Sequence, residues 1–163
     1  MGLCLLLLSC VSIPDVPLPT FDVGVTSEKN SGLVEISVTT DWQSQGFLVT
    51  EGINGFDISI KNNTDKIVRI VWEKSSLTYN GNSYTPFIEG QKYTNSSEPM
   101  APTVVPAKGQ IGKAVFSSGQ PYYKSGKYGG WRMRTITASD IVIVLCLESG
   151  DIEDYFTATI TKK

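Results

Sequence analysis

Hydrophobic positions along this chain recur at every second residue, and no long stretch keeps the ~3.6-residue rhythm of an amphipathic helix. Residues 33 to 40 alternate, with Val34, Ile36 and Val38 on one face. Phe56, Ile58 and Ile60 alternate against Asp57, Ser59 and Lys61, the pattern of a half-buried strand. Asn62-Asn63-Thr64-Asp65 is a turn cluster. The following run, Ile67 to Trp72, is largely apolar on both faces and predicts a central strand. Asn80-Gly81 joins Leu77-Thr78-Tyr79 to Ser83-Tyr84-Thr85, a hairpin signal because both turn residues accept positive φ. Residues 89 to 109, rich in Pro, Ser and Asn, predict a long loop before a strand from Ile111 to Phe116. Ile141 to Leu147 is apolar on both faces and predicts a core strand. After a turn at Gly150-Asp151, the segment from Tyr155 to Thr161 turns Phe156, Ala158 and Ile160 inward and Tyr155, Thr157, Thr159 and Thr161 outward.

Short strands separated by turn residues predict an all-β fold, an antiparallel immunoglobulin-like β-sandwich of about seven or more strands with little helix. The Cys…Trp…Cys pattern of antibody domains is missing. A β-barrel is the alternative closure. Trp42 and Trp72 lie in or beside strands and are expected in the core.

The first ten residues break the pattern: Met-Gly-Leu-Cys-Leu-Leu-Leu-Leu-Ser-Cys. Leu3 and Leu5 to Leu8 form an apolar run and Ser9 a small residue, the layout of a cleavable secretory signal. The run is far below the ~20 apolar residues that cross a bilayer. Myristoylation at Gly2 would want Ser or Thr at position 6, where the chain has Leu6. The segment resembles the lipobox of bacterial lipoproteins, in which the cysteine after the small residue becomes the lipidated N-terminus. That resemblance implies a signal peptide over residues 1–9, acyl chains (palmitate among them) on Cys10, and attachment in the cell envelope. Each buried CH₂ contributes about 0.8 kcal/mol, so the two or three chains of a bacterial lipoprotein hold firmly where one holds marginally. Val11, where an inner-membrane lipoprotein would carry Asp, implies the outer membrane. An ordinary signal peptide, with Cys10 an incidental thiol, is the alternative.

Residues 10 to 30 then read as a lipidated cysteine and a tether. Pro14, Pro17 and Pro19 disfavour helix, although Phe21 to Val25 also suits an edge strand. Residues 31 to 163 are expected to form one β-sandwich domain. Hydrophobic residues at 40% and charged residues at 18% describe a globular chain, not a disordered one. Of the three cysteines, Cys4 leaves with the signal and Cys10 carries lipid. Cys146 is left without a disulfide partner.

A net charge of −2 exerts no broad pull on nucleic acid, which is not an expected partner. The chain has no His, which removes the commonest general base and the usual zinc ligand together. The expectation is a protein that is not an enzyme and takes neither cofactor nor metal; a His-free hydrolase working through paired carboxylates is the alternative.

Further segments carry a second resemblance. Between Ile58 and Pro106 occur Ile-Lys-Asn-Asn-Thr-Asp-Lys, Val-Trp-Glu-Lys-Ser-Ser, Asn-Gly-Asn-Ser-Tyr, Gly-Gln-Lys-Tyr and Ala-Pro-Thr-Val-Val-Pro. They are similar to segments of a group of bacterial envelope lipoproteins with a single immunoglobulin-like sandwich. The likeness implies fold and location and brings no activity with it.

Candidate chemistry concentrates in one stretch. Tyr122, Tyr123, Lys124, Lys127, Tyr128, Trp131, Arg132 and Arg134 fall within thirteen residues containing no acid. Aromatic faces stack on sugars or bases, and Lys and Arg meet anions. The stretch is a candidate recognition loop for a glycan, an anionic envelope polymer or an envelope protein. Its structural alternative is a loop whose Trp131 and Tyr128 plug the end of the core. Cys146, between Leu145 and Leu147, reads as a buried hydrophobe, since a nucleophile would need an activating base. Asp140 and Glu148 are scattered acids, while Asp151, Glu153 and Asp154 cluster around a turn; their oxygens could grip a hard cation, but without the spacing of a calcium loop they read as solvated turn carboxylates.

Overall fold

The alternation read from the sequence becomes two antiparallel sheets sharing one core. The computed structural model describes residues 19–29, 32, 34–43, 51–98 and 100–163. Residues 1–18, which hold the expected signal peptide, Cys10 and the first part of the expected tether, lie outside the described residues. The strands are β1 (Phe21–Ser27), β2 (Val34–Gln43), β3 (Gly52–Asn62), β4 (Val68–Tyr79), β5 (Asn82–Tyr84) and β6 (Pro86–Ile88). After them come β7 (Thr103–Val105), β8 (Gln110–Ser117), β9 (Pro121–Lys124), β10 (Gly130–Met133), β11 (Asp140–Ser149) and β12 (Ile152–Lys162). The helical element among the described residues is a single 3-10 turn, Tyr93–Asn95.

One sheet runs β1-β12-β11-β4-β5, with β7 paired to the opposite end of β4 from β5. The other runs β2-β3-β8-β6. This is the A-B-E-D sheet of an immunoglobulin sandwich facing G-F-C, with β5 in the C′ place and β1 added outside G. Both sheets keep open edges, so the barrel alternative is not what forms. β1 is the edge strand that Phe21 to Val25 allowed, pairing with β12 from Phe21↔Lys162 to Ser27↔Phe156. The expected long loop at 89–109 holds two short elements, the 3-10 turn and β7.

The core is built from the predicted faces. Val34 and Val38, then Phe56, Ile58 and Ile60, meet Ile70, Trp72, Leu77, Ile143, Leu145 and Ile160 between the sheets. Trp72 occupies the third strand of the immunoglobulin order, where these folds place a buried Trp. Its indole N–H donates to Thr103 Oγ1 at 2.8 Å, which ties β7 to β4. Trp42 is half-buried at the core's margin, its ring centroid 5.4 Å from that of Phe21. The turn at Asn80-Gly81 has φ of 51° and 74°, the left-handed pair that matches strand twist.

Asn62, read as a turn residue, is buried and organises its loop. Its Nδ2 donates to the carbonyls of Lys66 and Pro106, and its Oδ1 accepts from the backbone N–H and the hydroxyl of Thr64.

Candidate functional site

Residues 121 to 134 form a small antiparallel ribbon of their own, β9 paired with β10, between β8 and β11 of the sandwich. Tight backbone approach makes its turn. Gly129 N–H donates to Gly126 O at 2.8 Å, and a Cβ on Gly129 would lie 2.6 Å from Lys124 O. Only glycine fits there.

The ribbon is fastened at its base by Gln120, which is 1% exposed. Gln120 Oε1 accepts from Ser117 N at 2.7 Å, and Nε2 donates to Asn54 O at 2.8 Å and Arg134 O at 3.0 Å. Arg134 N–H returns a bond to Gln120 O at 2.9 Å. Just beyond, Ile136 and Ile53 exchange both backbone hydrogen bonds and enter the core.

All eight candidate residues therefore share one hairpin, but on two faces. Cross-strand partners are Trp131↔Tyr123 and Arg132↔Tyr122, and successive residues of a strand point to opposite sides. Trp131 and Tyr123 pack edge to face at 5.9 Å between ring centroids. On the other face lie Tyr122, Lys124, Arg132 and Arg134, with the Arg134 guanidinium 4.7 Å from the Tyr122 ring centroid. Lys127 and Tyr128 occupy the tip, the Lys127 ammonium 5.6 Å from the Tyr128 ring centroid.

The rings do not plug the core. Tyr128 is 79%, Tyr123 63% and Trp131 40% exposed, and that end of the core is closed instead by Ile53, Ile136 and Ala138. Trp131 also lines a shallow groove of about 340 Å³ with Gln91, Lys92, Tyr93 and Thr94. These four were not among the sequence candidates. Tyr93 is set there by its edge contact with Phe87 of β6.

Charge is concentrated here. The stretch 121–134 carries four cations and no acid, so the rest of a chain of net −2 sums to −6. The hairpin is a basic segment of a chain that is otherwise acidic.

The outward face of the β11–β12 sheet holds the other cluster. Cys146 is fully buried, and burial pushes its thiol up. Lys74 bonds both Glu148, at 2.9 Å, and Glu153. The Lys74 hydrogen bond, followed by that of Tyr155, holds the Glu153 carboxyl below its ordinary range. Donation to Glu153 pushes the Tyr155 phenol up to about 12. Cys146, Glu148 and Glu153 present ligand atoms within 4.8 Å of one another, with the Lys74 ammonium bonded to both carboxylates. Asp154 corrects the expectation of solvated turn acids. It is fully buried and accepts from Ser27 Oγ at 2.8 Å and Lys29 N at 3.1 Å.

The base of the hairpin lies at the end of the sandwich where the chain enters β1. Phe21 pairs with Lys162, Lys163 N–H donates to Thr20 O, and Lys162 N–H donates to Ser139 O. Asp140, which opens β11 directly after the hairpin's base, pairs with Thr161 at that same end. The chain matches no protein-family model, no curated protein and no solved structure.

Proposed function

We propose that this chain is a lipid-anchored protein of the bacterial envelope, attached through Cys10 at the outer membrane, that works by binding an envelope component rather than by catalysis. The observation that carries the binding reading is the β9–β10 hairpin, with three exposed rings and four cations on a base locked by Gln120. Exposed aromatic surface costs solvation and adds nothing to this core, so its use lies in contact with something else. The attachment reading rests on the leucine run closed by Ser9-Cys10.

Each half has its own test. Globomycin, which blocks lipoprotein signal cleavage, should make the precursor accumulate, and Cys10→Ser should abolish acyl labelling. Normal maturation of an unlabelled wild-type chain would end the attachment reading. Tyr128→Ala combined with Trp131→Ala should remove binding to isolated envelopes and leave the thermal midpoint nearly unchanged. A large fall in the midpoint would return those rings to a structural role.

A further inference from the structure

We infer that the β9–β10 hairpin docks onto the membrane that holds the protein, setting its aromatic rings at the lipid headgroups and its cations against lipid phosphates. The inference rests on the attachment reading and names the component that the hairpin contacts.

Placement comes first. The chain enters β1 at Thr20-Phe21, at the end of the sandwich that carries Ser139, Asp140 and the base of the hairpin. Ten residues lie between Cys10 and Phe21, a span of at most about 40 Å when fully extended. An anchor at Cys10 therefore turns this end of the sandwich towards the bilayer and keeps it near. The hairpin is then rooted at the membrane-proximal end, while the turns at Asn62–Lys66 and Gly150 lie at the opposite end.

Composition comes second. Tyr and Trp favour the membrane–water interface because each joins an apolar ring to a polar edge. Lys and Arg close to the surface are drawn to anionic headgroups within a Debye length. The hairpin supplies Tyr123, Tyr128 and Trp131 in exposed positions, with Lys124, Lys127 and Arg132 on its tip and second face. The rest of the chain carries a net negative charge, so the hairpin is the contiguous segment that such a surface attracts. A glycan or protein partner would be met through the same rings, but neither accounts for their position beside the anchored end.

The test uses the full lipidated chain reconstituted in vesicles of phosphatidylcholine, alone or mixed with phosphatidylglycerol, each doped with a lipid that carries a quencher near its headgroup. Trp131 is the tryptophan in the hairpin, while Trp72 is buried and Trp42 half-buried. Tryptophan emission should be quenched in the anionic vesicles, less in the zwitterionic ones, and progressively less as salt rises. Trp131→Phe, which keeps a ring in place, should remove most of that quenching. The combined variant Lys124→Ser, Lys127→Ser and Arg132→Ser should lose the difference between the two vesicle types at an unchanged thermal midpoint.

Equal quenching of wild type and Trp131→Phe would overturn the docking and leave the hairpin facing a glycan or protein. Quenching indifferent to headgroup charge and salt would overturn the phosphate contact. Mass spectrometry of the N-terminal peptide separates the two layers. An unacylated Cys10 sinks the attachment reading, whereas an acylated chain with an unquenched Trp131 sinks only the docking.

Discussion

Replacing Gln120 by Ala should unfasten the hairpin from the sandwich. The wild-type side chain is 1% exposed and makes three hydrogen bonds to backbone, accepting from Ser117 N and donating to Asn54 O and Arg134 O. Ala leaves all three backbone groups without this partner, and Ser117 is fully buried. At about 1 kcal/mol for each bond, the loss comes to about 3 kcal/mol. For a domain of this size that lowers the thermal midpoint by about 6–12 °C. Urea unfolding gives the stability, and amide hydrogen exchange shows where it is lost. Exchange should accelerate across Tyr122–Arg134 by more than the fall in global stability explains, because the ribbon's fastening goes first. A loss below about 1 kcal/mol would refute the hydrogen-bond reasoning. A full loss with unaltered exchange in the hairpin would show that Gln120 serves the sandwich alone.

The two kinds of tryptophan should separate cleanly. Trp72→Ala removes a buried ring from the centre of the core and should cost about 3–5 kcal/mol. Trp131→Ala, outside the core cluster, should stay within about 0.5 kcal/mol, and equal costs in urea titrations would contradict the burial pattern. Cys146 should react with a thiol reagent only as fast as the domain opens, so a rapid native-state reaction would contradict its full burial. Glu153 has a folded pKa below its ordinary 4.5, first through Lys74 and then Tyr155. A depressed carboxyl adds stability above its unfolded pKa and loses it as pH falls through the folded value. Glu153→Gln should therefore flatten the acid limb of stability measured against pH, and an unchanged limb would show that the Lys74 contact contributes nothing.

The long strands were legible because each buries one face, and a period of two exposes that face in the sequence. Phe56, Ile58 and Ile60 declared β3 in this way, and Phe156, Ala158 and Ile160 declared β12. The same parity, carried two residues further back, places Asp154 on the inward face. Its burial was thus readable in principle, but an acid beside a turn outweighed it. Strands of three residues have no period to read. Pro86–Ile88 and Thr103–Val105 form because long neighbours, β8 and β4, offer them a paired edge. At the candidate site the hairpin residues were visible because they are contiguous. Their division into two faces was not, since register depends on how a Gly-rich turn closes. Gln91 to Thr94 reach Trp131 from some forty residues away through the sandwich, and Gln120, between Gly119 and Pro121, belongs to no periodic run.

β1 shows how an edge strand can be held to such a domain without much core. Val23 and Val25 are each 38% exposed, so burial alone holds this strand weakly. Its retention comes from the pairing with β12 over seven positions and from fastenings at both ends. At the entry, Lys163 N–H bonds Thr20 O at 3.0 Å and the Lys163 ammonium pairs with Asp22 at 2.6 Å. At the exit, buried Asp154 takes Ser27 and the Lys29 amide. The entry pair is exposed and screened by salt, while bonds to the buried carboxylate are charge-assisted and shielded. A pull on the N-terminal side runs along the strand axis and loads the β1–β12 ladder in shear, with Asp154 holding the far end. The acid that looked like a solvated turn residue is therefore the fixed point of the join, and its burial is what lets an exposed edge strand bear such a load.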